Sequence, residues 1–517
     1  MKKILIFLLV FITVTGCKKL DYLNENTKDA SVVPGEALFN GATRALLNQL
    51  FTANVNDNNT LLFVQYFAET SYPQESQYDM VTRPITARNM NTLYRRVLMN
   101  YKEAARVLNI TPLLEVPQKQ RDNQLAIIEI MSIFTWSNVV ETYGNMPYFD
   151  ALDYLKPNPK YDDGLVIYKD LIARLNAAIG KLDPAFAGMG EGYDNIYGGD
   201  MAATAKWIRF ANSLKLRMGL MISDIPASVD ATTPALAKTT IETAALNVFN
   251  DPITSPSTGD KFACTFLTDS PNQNPFYYEL VASGRSDFVL TSILVDPMNA
   301  LNDPRRDGFM WTKVQLKNVA GEDSVLKYYG GGQGSSTNSY GSFTHIENSL
   351  LKPTRETVLM DYTEVEFLLA EASEKGFTIA GSAESHYNNA ITSSIKYWGG
   401  NDADVTAYLA QPEVAYATAT GVWQEKIGTQ AWYAYYLRGF TAWTSWRRLD
   451  YPRLYAPEEH VQDVIGVPVR YIYAVSEQTL NGANYTTAAA AIGGDKANTR
   501  LFWDVNFYDS SYVPPVK

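Results

Sequence analysis

The chain has 517 residues, 46 % of them hydrophobic, and a formal net charge of −11. That length and composition can build a large core without disulfides. The acidic balance argues against nucleic-acid binding, which needs a basic face. Tyrosine stands out, with 33 copies beside 9 Trp and 22 Phe. Such rings serve as buried hydrogen-bonded groups or as exposed stacking faces, and composition leaves both uses open.

At the N-terminus, Lys2 and Lys3 precede an apolar stretch, Ile4 to Val14, broken only by Thr13. Thr15, Gly16 and Cys17 follow. A basic start, an apolar run of this length and small residues before a cut mark a secretory signal. The run is too short to span a bilayer. Val14-Thr15-Gly16-Cys17 resembles a bacterial lipobox, with Val in place of the usual Leu. Residues 1–16 are therefore expected to be a lipoprotein signal peptide, and residues 17–33 a tether lipidated at Cys17. Each buried CH2 contributes about 0.8 kcal/mol, so several acyl chains anchor firmly. A plain secretory peptide with an incidental cysteine is the competing reading, disfavoured by the position of Cys17 at the cut. Removal of Lys2 and Lys3 takes the net charge from −11 to −13. Cys264 is the one other cysteine, so no intramolecular disulfide is expected and Cys264 reads as a small buried apolar residue. No second apolar run approaches 18 residues, which leaves the lipid as the expected membrane attachment.

From Pro34 the pattern turns helical, with Ala37, Leu38, Ala45, Leu46 and Leu50 at spacings near 3.6 residues. Further helices are predicted at about 59–70, 88–108, 120–141, 164–182 and 204–222, with Asp183-Pro184 as a stop. A short helical pattern and the loop PITSPSTGD (252–260) follow. Residues 262–350 are rich in Gly, Asn, Ser and aromatics, with a β-like piece at Phe288-Val289-Leu290. They are expected to be irregular, within a loop-rich insert at about 225–350. Helix returns at 361–375, where Asp361 and Glu364 have capping-box spacing and Gly376 suits the left-handed terminus. The next predicted helix, 382–397, carries Ala383, Tyr387 and Ala390. With Leu368 and Ala372 before them, they resemble a tetratricopeptide helix pair. A helix at 423–439, an aromatic cluster at 440–446 and a loop-like tail from 452 complete the chain.

QYFAETSYPQESQYDM (65–80), ETYGNMPYFDAL (141–152) and GGDMAATAKWIRFANSLKLRMGLMIS (198–223) begin a series of blocks, in order along nearly the whole chain, that resembles the SusD/RagB family. LVDPMNALNDPRRDGFM (294–310) is typical of the branch called SusD-like 2. LMDYTEVEFLLAEASEKGF (359–377), EKIGTQAWYAYYLRGFTAWTSWRRLDYPRL (425–454) and the GGD…FWD tail (493–504) follow. Thr441-Ala442-Trp443 departs from the acidic residue that often precedes Trp in the family. The resemblance implies a mostly α-helical single domain, 34–517, of tetratricopeptide-like helix pairs with a loop-rich irregular face and little β. It implies a cell-surface, outer-membrane lipoprotein that acts as lid of a SusC-type TonB-dependent transporter and captures oligosaccharides for import. A peptide-binding lid, a structural lid that binds almost no ligand and a lipid-anchored surface glycosidase are the alternatives.

The loop 328–343 is the best candidate surface. Its glycines permit close ligand approach. Tyr328, Tyr329, Tyr340 and Phe343 supply rings, and Gln333 and Asn338 polar edges. Tyr72 and Tyr78 lie where family members often place ligand-contacting aromatics, and Trp311 is a further candidate. A ligand-free surface loop competes for the first group, and ordinary packing for each of the others. Enzyme readings fare worse, and none is expected. His345, His386 and His460 have no ligand spacing, and no HExxH, GxSxG or phosphate-binding loop occurs. Asp296 with Asp303, or Glu364 with Glu371, are the carboxylate pairs that hydrolysis could use. Arg447 and Arg448, near Asp450, read as structural ion-pair partners. NVNDNN (54–59) and NDAD (401–404) offer hard oxygen ligands for calcium but read as solvated loops. No cofactor or metal is expected.

Overall fold

Apolar residues at helical spacing pack the first half of the chain into helix pairs. The computed structural model describes residues 33–114, 116–250, 260–307, 310–315 and 326–513. The lipobox, Cys17, nearly all of the tether and all but the last residue of the PITSPSTGD loop lie outside the described residues. Helix α1, Gly35–Phe51, buries Phe39, Ala42, Leu46, Leu47 and Leu50. A single turn, α2 (Thr60–Phe63), leads to strand β1, Phe67–Glu69. Next, α3 (Ile85–Asn91) runs through a π-helical stretch, Thr92–Leu98, into α4 (Met99–Ile110). Then come α5 (Gln118–Tyr143), α6 (Gly164–Ile179), α7 (Met201–Met221) and α8 (Thr233–Ala244). Asp163 caps α6 by accepting from Val166 N at 3.0 Å, and Asp200 caps α7 by accepting from Ala203 N at 2.8 Å. The most apolar 18-residue window of helix α5 has a mean hydropathy of 1.2, and the helix is long enough to cross a membrane. Its most apolar window is 83 % buried inside the protein, so it is a core helix.

The second half mixes short strands with helices: β2 (Lys261–Cys264), α9 (Pro275–Tyr277) with a π-helical continuation to Ala282, β3 (Phe288–Leu290) and α10 (Ser292–Ala300). Strand β4 (Thr357–Asp361) leads into α11 (Tyr362–Glu374), followed by α12 (Ala383–Tyr397) and α13 (Asp402–Leu409). Helices α14 (Trp423–Ala434), α15 (Gly439–Leu449), α16 (Glu477–Leu480) and α17 (Gly482–Ala491) close the chain. The strands form two antiparallel pairs, β1 with β3 (Phe67 opposite Leu290) and β2 with β4 (Phe262 opposite Met360). The expected class, mostly α with little β, holds. So does the α11–α12 pair, tied by Thr363 Oγ1 donating to Ser393 Oγ at 2.9 Å.

Four expectations change. The helix expected at 59–70 is one turn and a strand, because its apolar run is buried on every side and carries no single helical face. The helix expected at 423–439 breaks at Leu437, φ 70°, and the aromatic cluster 440–446 lies in α15. The loop-like tail contains α16 and α17. Asp361 caps α11 by accepting from Glu364 N at 2.9 Å, but no capping box forms, since the Glu364 carboxylate turns to Arg438.

One continuous cluster of buried side chains extends from Phe39 to Trp503. Much of the tyrosine is spent here, with hydroxyls paired inside. Tyr143 donates to Thr86 O at 2.9 Å, Tyr387 to Val414 O at 2.8 Å and Tyr473 to Asn145 O at 2.9 Å. Each buried ring contributes about 2 kcal/mol once its hydroxyl is satisfied. Cys264 is buried, and burial pushes its thiol up to about 11.

Candidate functional site

Strand β3 brings together two loops far apart in sequence. It pairs with β1, which delivers the segment 70–83. On its other side, Leu290 N donates to Thr344 O at 2.7 Å, and Gly331 N to Leu290 O at 2.7 Å, which fixes the segment 328–345. Side-chain amides then staple the loops to each other. Gln77 Nε2 donates to Gly334 O at 2.8 Å, Gln333 Nε2 to Ser76 O at 3.1 Å and Asn338 Nδ2 to Glu69 O at 3.2 Å. The segment 455–461 joins them, with Gln65 Nε2 donating to Tyr455 O at 2.6 Å and Val461 N to Gln77 O at 3.0 Å. Sequence reasoning missed Tyr455, whose ring is partly exposed; nothing in its local sequence distinguishes it.

Two of the loop's glycines serve packing. A Cβ on Gly331 would lie 2.8 Å from Val289 Cγ2, and one on Gly330 2.2 Å from Ser292 Cα. These two glycines let the loop press onto β3 and α10.

The seven aromatic candidates divide by burial. Tyr72 is 73 % exposed and sits in the left-handed region at φ 56°, a costly conformation for a residue with a Cβ. Tyr329, Tyr340 and Phe343 are half-buried on the neighbouring loop. Tyr340 stacks on the His345 imidazole with centroids 3.9 Å apart, and His345 Nδ1 pairs with Phe343 O at 3.2 Å. Burial lowers the His345 pKa below its usual value and raises that of Tyr340. Tyr78, Trp311 and Tyr328, by contrast, lie in the core and leave the candidate surface. The Tyr78 hydroxyl accepts from Gln65 Nε2 at 2.8 Å, and the Tyr328 hydroxyl lies 3.1 Å from Arg306 O. Trp311 packs edge-on against Tyr328 at 5.6 Å. Their rings support the loops from below and have no face free.

At the base of the loop that carries Tyr72, Glu69 and Glu75 form a buried acidic pair. Glu69 Oε2 accepts from Ser76 N at 2.8 Å and from Ser76 Oγ at 2.9 Å. Burial, then the adjacent Glu75 carboxylate, raises the Glu69 pKa to about 8. Neutral Glu69 is a donor, and Glu75 Oε2, buried without another partner, is the acceptor beside it. Glu75 Oε1 pairs with Arg83 Nε at 2.7 Å.

Three of the four carboxylates considered for hydrolysis are committed elsewhere. Asp303 is buried against Arg305, Glu364 against Arg438, and Glu371 against Arg448 at 2.8 Å; Asp296, the partner considered for Asp303, is exposed. Arg447 is held in the core between Trp443 and Trp503 and donates to Val469 O at 2.9 Å. In the stretch 401–404, Asn401 and Asp404 form a reciprocal capping box on α13, which accounts for those groups. No cluster of three His, Cys, Asp or Glu side chains that could hold a metal occurs among the described residues. An interior gap beside Trp398 and Tyr436 holds about 40 Å³, too little for a sugar ring. Two open grooves are larger, about 750 Å³ beside Arg44 and Arg96 and about 470 Å³ beside Phe149.

Residues 26–474 match the model of the SusD-like_2 family, described as starch-binding and associating with the outer membrane. No curated protein matches the sequence. Among solved structures, the chain is similar to a chitin-binding protein, with 24 % identity and a TM-score of 0.73 over 91 % of this chain and 100 % of that one. A chitin-binding SusD homologue from Flavobacterium johnsoniae gives 21 % identity and a TM-score of 0.72, covering 92 % and 100 %. A SusD homologue from Bacteroides uniformis gives 22 % and 0.72, covering 91 % and 99 %. These likenesses show a shared fold. The family match covers most of the chain, from the tether to the segment after α15: the protein belongs to the SusD-like_2 family.

Proposed function

We propose that this protein is a carbohydrate-binding lipoprotein of the outer membrane. It captures oligosaccharides on the stapled loop surface and passes them to a SusC-type TonB-dependent transporter. The observation that carries this reading is Tyr72, an exposed ring in a costly backbone conformation, beside half-buried Tyr329, Tyr340 and Phe343. An aromatic face packs on the apolar C–H face of a sugar, and loop amides meet its hydroxyls. The family description and the chitin-binding structural neighbours support a glycan cargo. The engagement of Asp303, Glu364 and Glu371 by arginines supports binding without cleavage. The lipobox supports an anchor at Cys17.

The test is titration calorimetry of the mature protein with chito- and malto-oligosaccharides, with chromatography of the ligand afterwards. Reversible binding, intact ligand and about a tenfold loss on Tyr72→Ala are expected, since one well-placed aromatic contact is worth about 1 kcal/mol or more. Cleavage products, retention of peptides alone, or binding indifferent to Tyr72→Ala with no other ring involved would overturn it.

A further inference from the structure

We propose that the 750 Å³ groove between α1, the α3–α4 helix and the segment 270–279 binds an acidic saccharide, one carrying a carboxylate or sulfate. The groove shares no lining residue with the Tyr72 surface. Its volume lies within the range of small-molecule sites.

Three arginines line it: Arg44, Arg88 and Arg96. That concentration stands out in a chain of net charge −11. None is fully committed. Arg44 donates one Nη2 bond to Pro271 O. Arg88 faces Asp57 only at 3.8 Å, with half of its side chain exposed. Arg96 is exposed; its guanidinium acts on Asp57 only at a distance, with no side-chain hydrogen bond or close ion pair among the described residues. A guanidinium presents a planar fork of donors that matches a carboxylate or sulfate. The opposing carboxylates are Asp57, which lies in the field of Arg88 and Arg96, and Glu279, which accepts from Asn54 Nδ2 at 3.3 Å; the three arginines outnumber them.

Helix winding explains why Arg88 and Arg96 face the same space. An α-helix turns about 100° per residue, so eight residues would leave Arg96 about 80° away from Arg88. The π-helical stretch Thr92–Leu98 turns less per residue and brings Arg96 back towards the Arg88 face. The opposite wall is also π-helical, at Tyr278–Ala282, and presents Tyr278 with 52 % of its surface exposed. π-helical turns are rare and concentrate at functional sites; here two of them face one groove. Tyr278 offers a ring face for sugar carbons, and Asn91 and Gln273 offer amides for hydroxyls.

The anion part of this inference stands alone; the saccharide part rests on the proposed function. The mature chain is titrated with trigalacturonate, a sulfated chondroitin disaccharide and neutral chitotriose. One or both acidic probes bind, which separates carboxylate from sulfate. Arg96→Gln lowers that affinity about tenfold, the worth of one charge-assisted hydrogen bond, and Arg88→Gln with Arg96→Gln abolishes it. Chitotriose affinity stays unchanged in both variants, which also reports that they are folded. Absence of binding by either acidic probe, or full binding by the double variant, overturns the groove. Chitotriose binding that depends on Tyr72 would then still uphold the proposed function. Acidic binding without any chitotriose binding upholds the groove and sinks the neutral-glycan reading.

Discussion

The buried Glu69–Glu75 pair makes stability depend on pH in a direction that can be worked out. Glu69 is buried and its pKa is raised to about 8, against 4.5 for a free side chain. Between those values the folded protein holds a proton that the unfolded chain has released, so this contribution is complete below about pH 4.5 and is lost as pH rises through about 8. Each pH unit in that window costs about 1.4 kcal/mol, so moving from pH 5.5 to 7.5 removes roughly 3 kcal/mol. For a chain of this size the unfolding entropy is about 1 kcal/mol per kelvin, so the melting temperature falls by about 3 °C from this group. Glu69→Gln isolates the effect. Its amide oxygen can still accept from Ser76 and its amide nitrogen can donate to Glu75, but nothing titrates. Differential scanning calorimetry of both proteins from pH 5 to 9 is the assay, and the readout is the difference in slope. Other buried acids, such as Asp504 with its pKa raised to about 8 by burial, contribute equally to both curves. The wild type should lose about 3 °C relative to the variant over those two units. Parallel curves would show that Glu69 is ionised throughout and that the pair does not share a proton.

Two further outcomes follow from single residues. A Cβ on Gly439 would lie 2.5 Å from Thr60 Oγ1 and 2.9 Å from Leu61 N, so Gly439→Ala should cost about 1–3 kcal/mol by overpacking. A lower urea midpoint with unchanged slope checks it; an unchanged midpoint would mean that α2 and α15 separate freely. Cys17→Ser should abolish incorporation of labelled palmitate and release the protein from the membrane fraction, whereas retained label would place the lipid elsewhere.

The long helices were legible because periodicity and caps agreed. Asp361 and Gly376 bracket 361–375 in sequence and bracket α11 in space, with Gly376 at φ 76°. Legibility failed where burial was uniform. The run from Thr60 to Phe67 is buried throughout and gives no face to read, so one turn and a strand looked like a helix. The break at Leu437 has no proline; it is tied instead to the contact of Gly439 with Thr60 and Leu61, which lie far away in the chain. At the site the same limit decides between rings. Tyr72 and Tyr78 occupy one loop, yet one is exposed and the other is held in the core by Gln65, with Gln333 beside it. The arginine groove escaped notice because its alignment depends on π-helical winding, which periodicity analysis at 3.6 residues per turn does not anticipate.

The way the loops are held bears on what they do. Gln77, Gln333 and Asn338 spend their amides on backbone carbonyls of the opposite segment, across more than 250 residues of chain. Such bonds fix the backbone of both loops while leaving the Tyr72 ring free. A surface ordered before the ligand arrives has less conformational entropy to lose on contact, so a few ring contacts are enough to retain a sugar. A few contacts also break readily, which suits the proposed delivery of cargo to a transporter. Glu69, at the base of the same loop, is buried and bound to Ser76, so it braces the loop. Rigid loops and an exposed ring suit the proposed capture of a sugar.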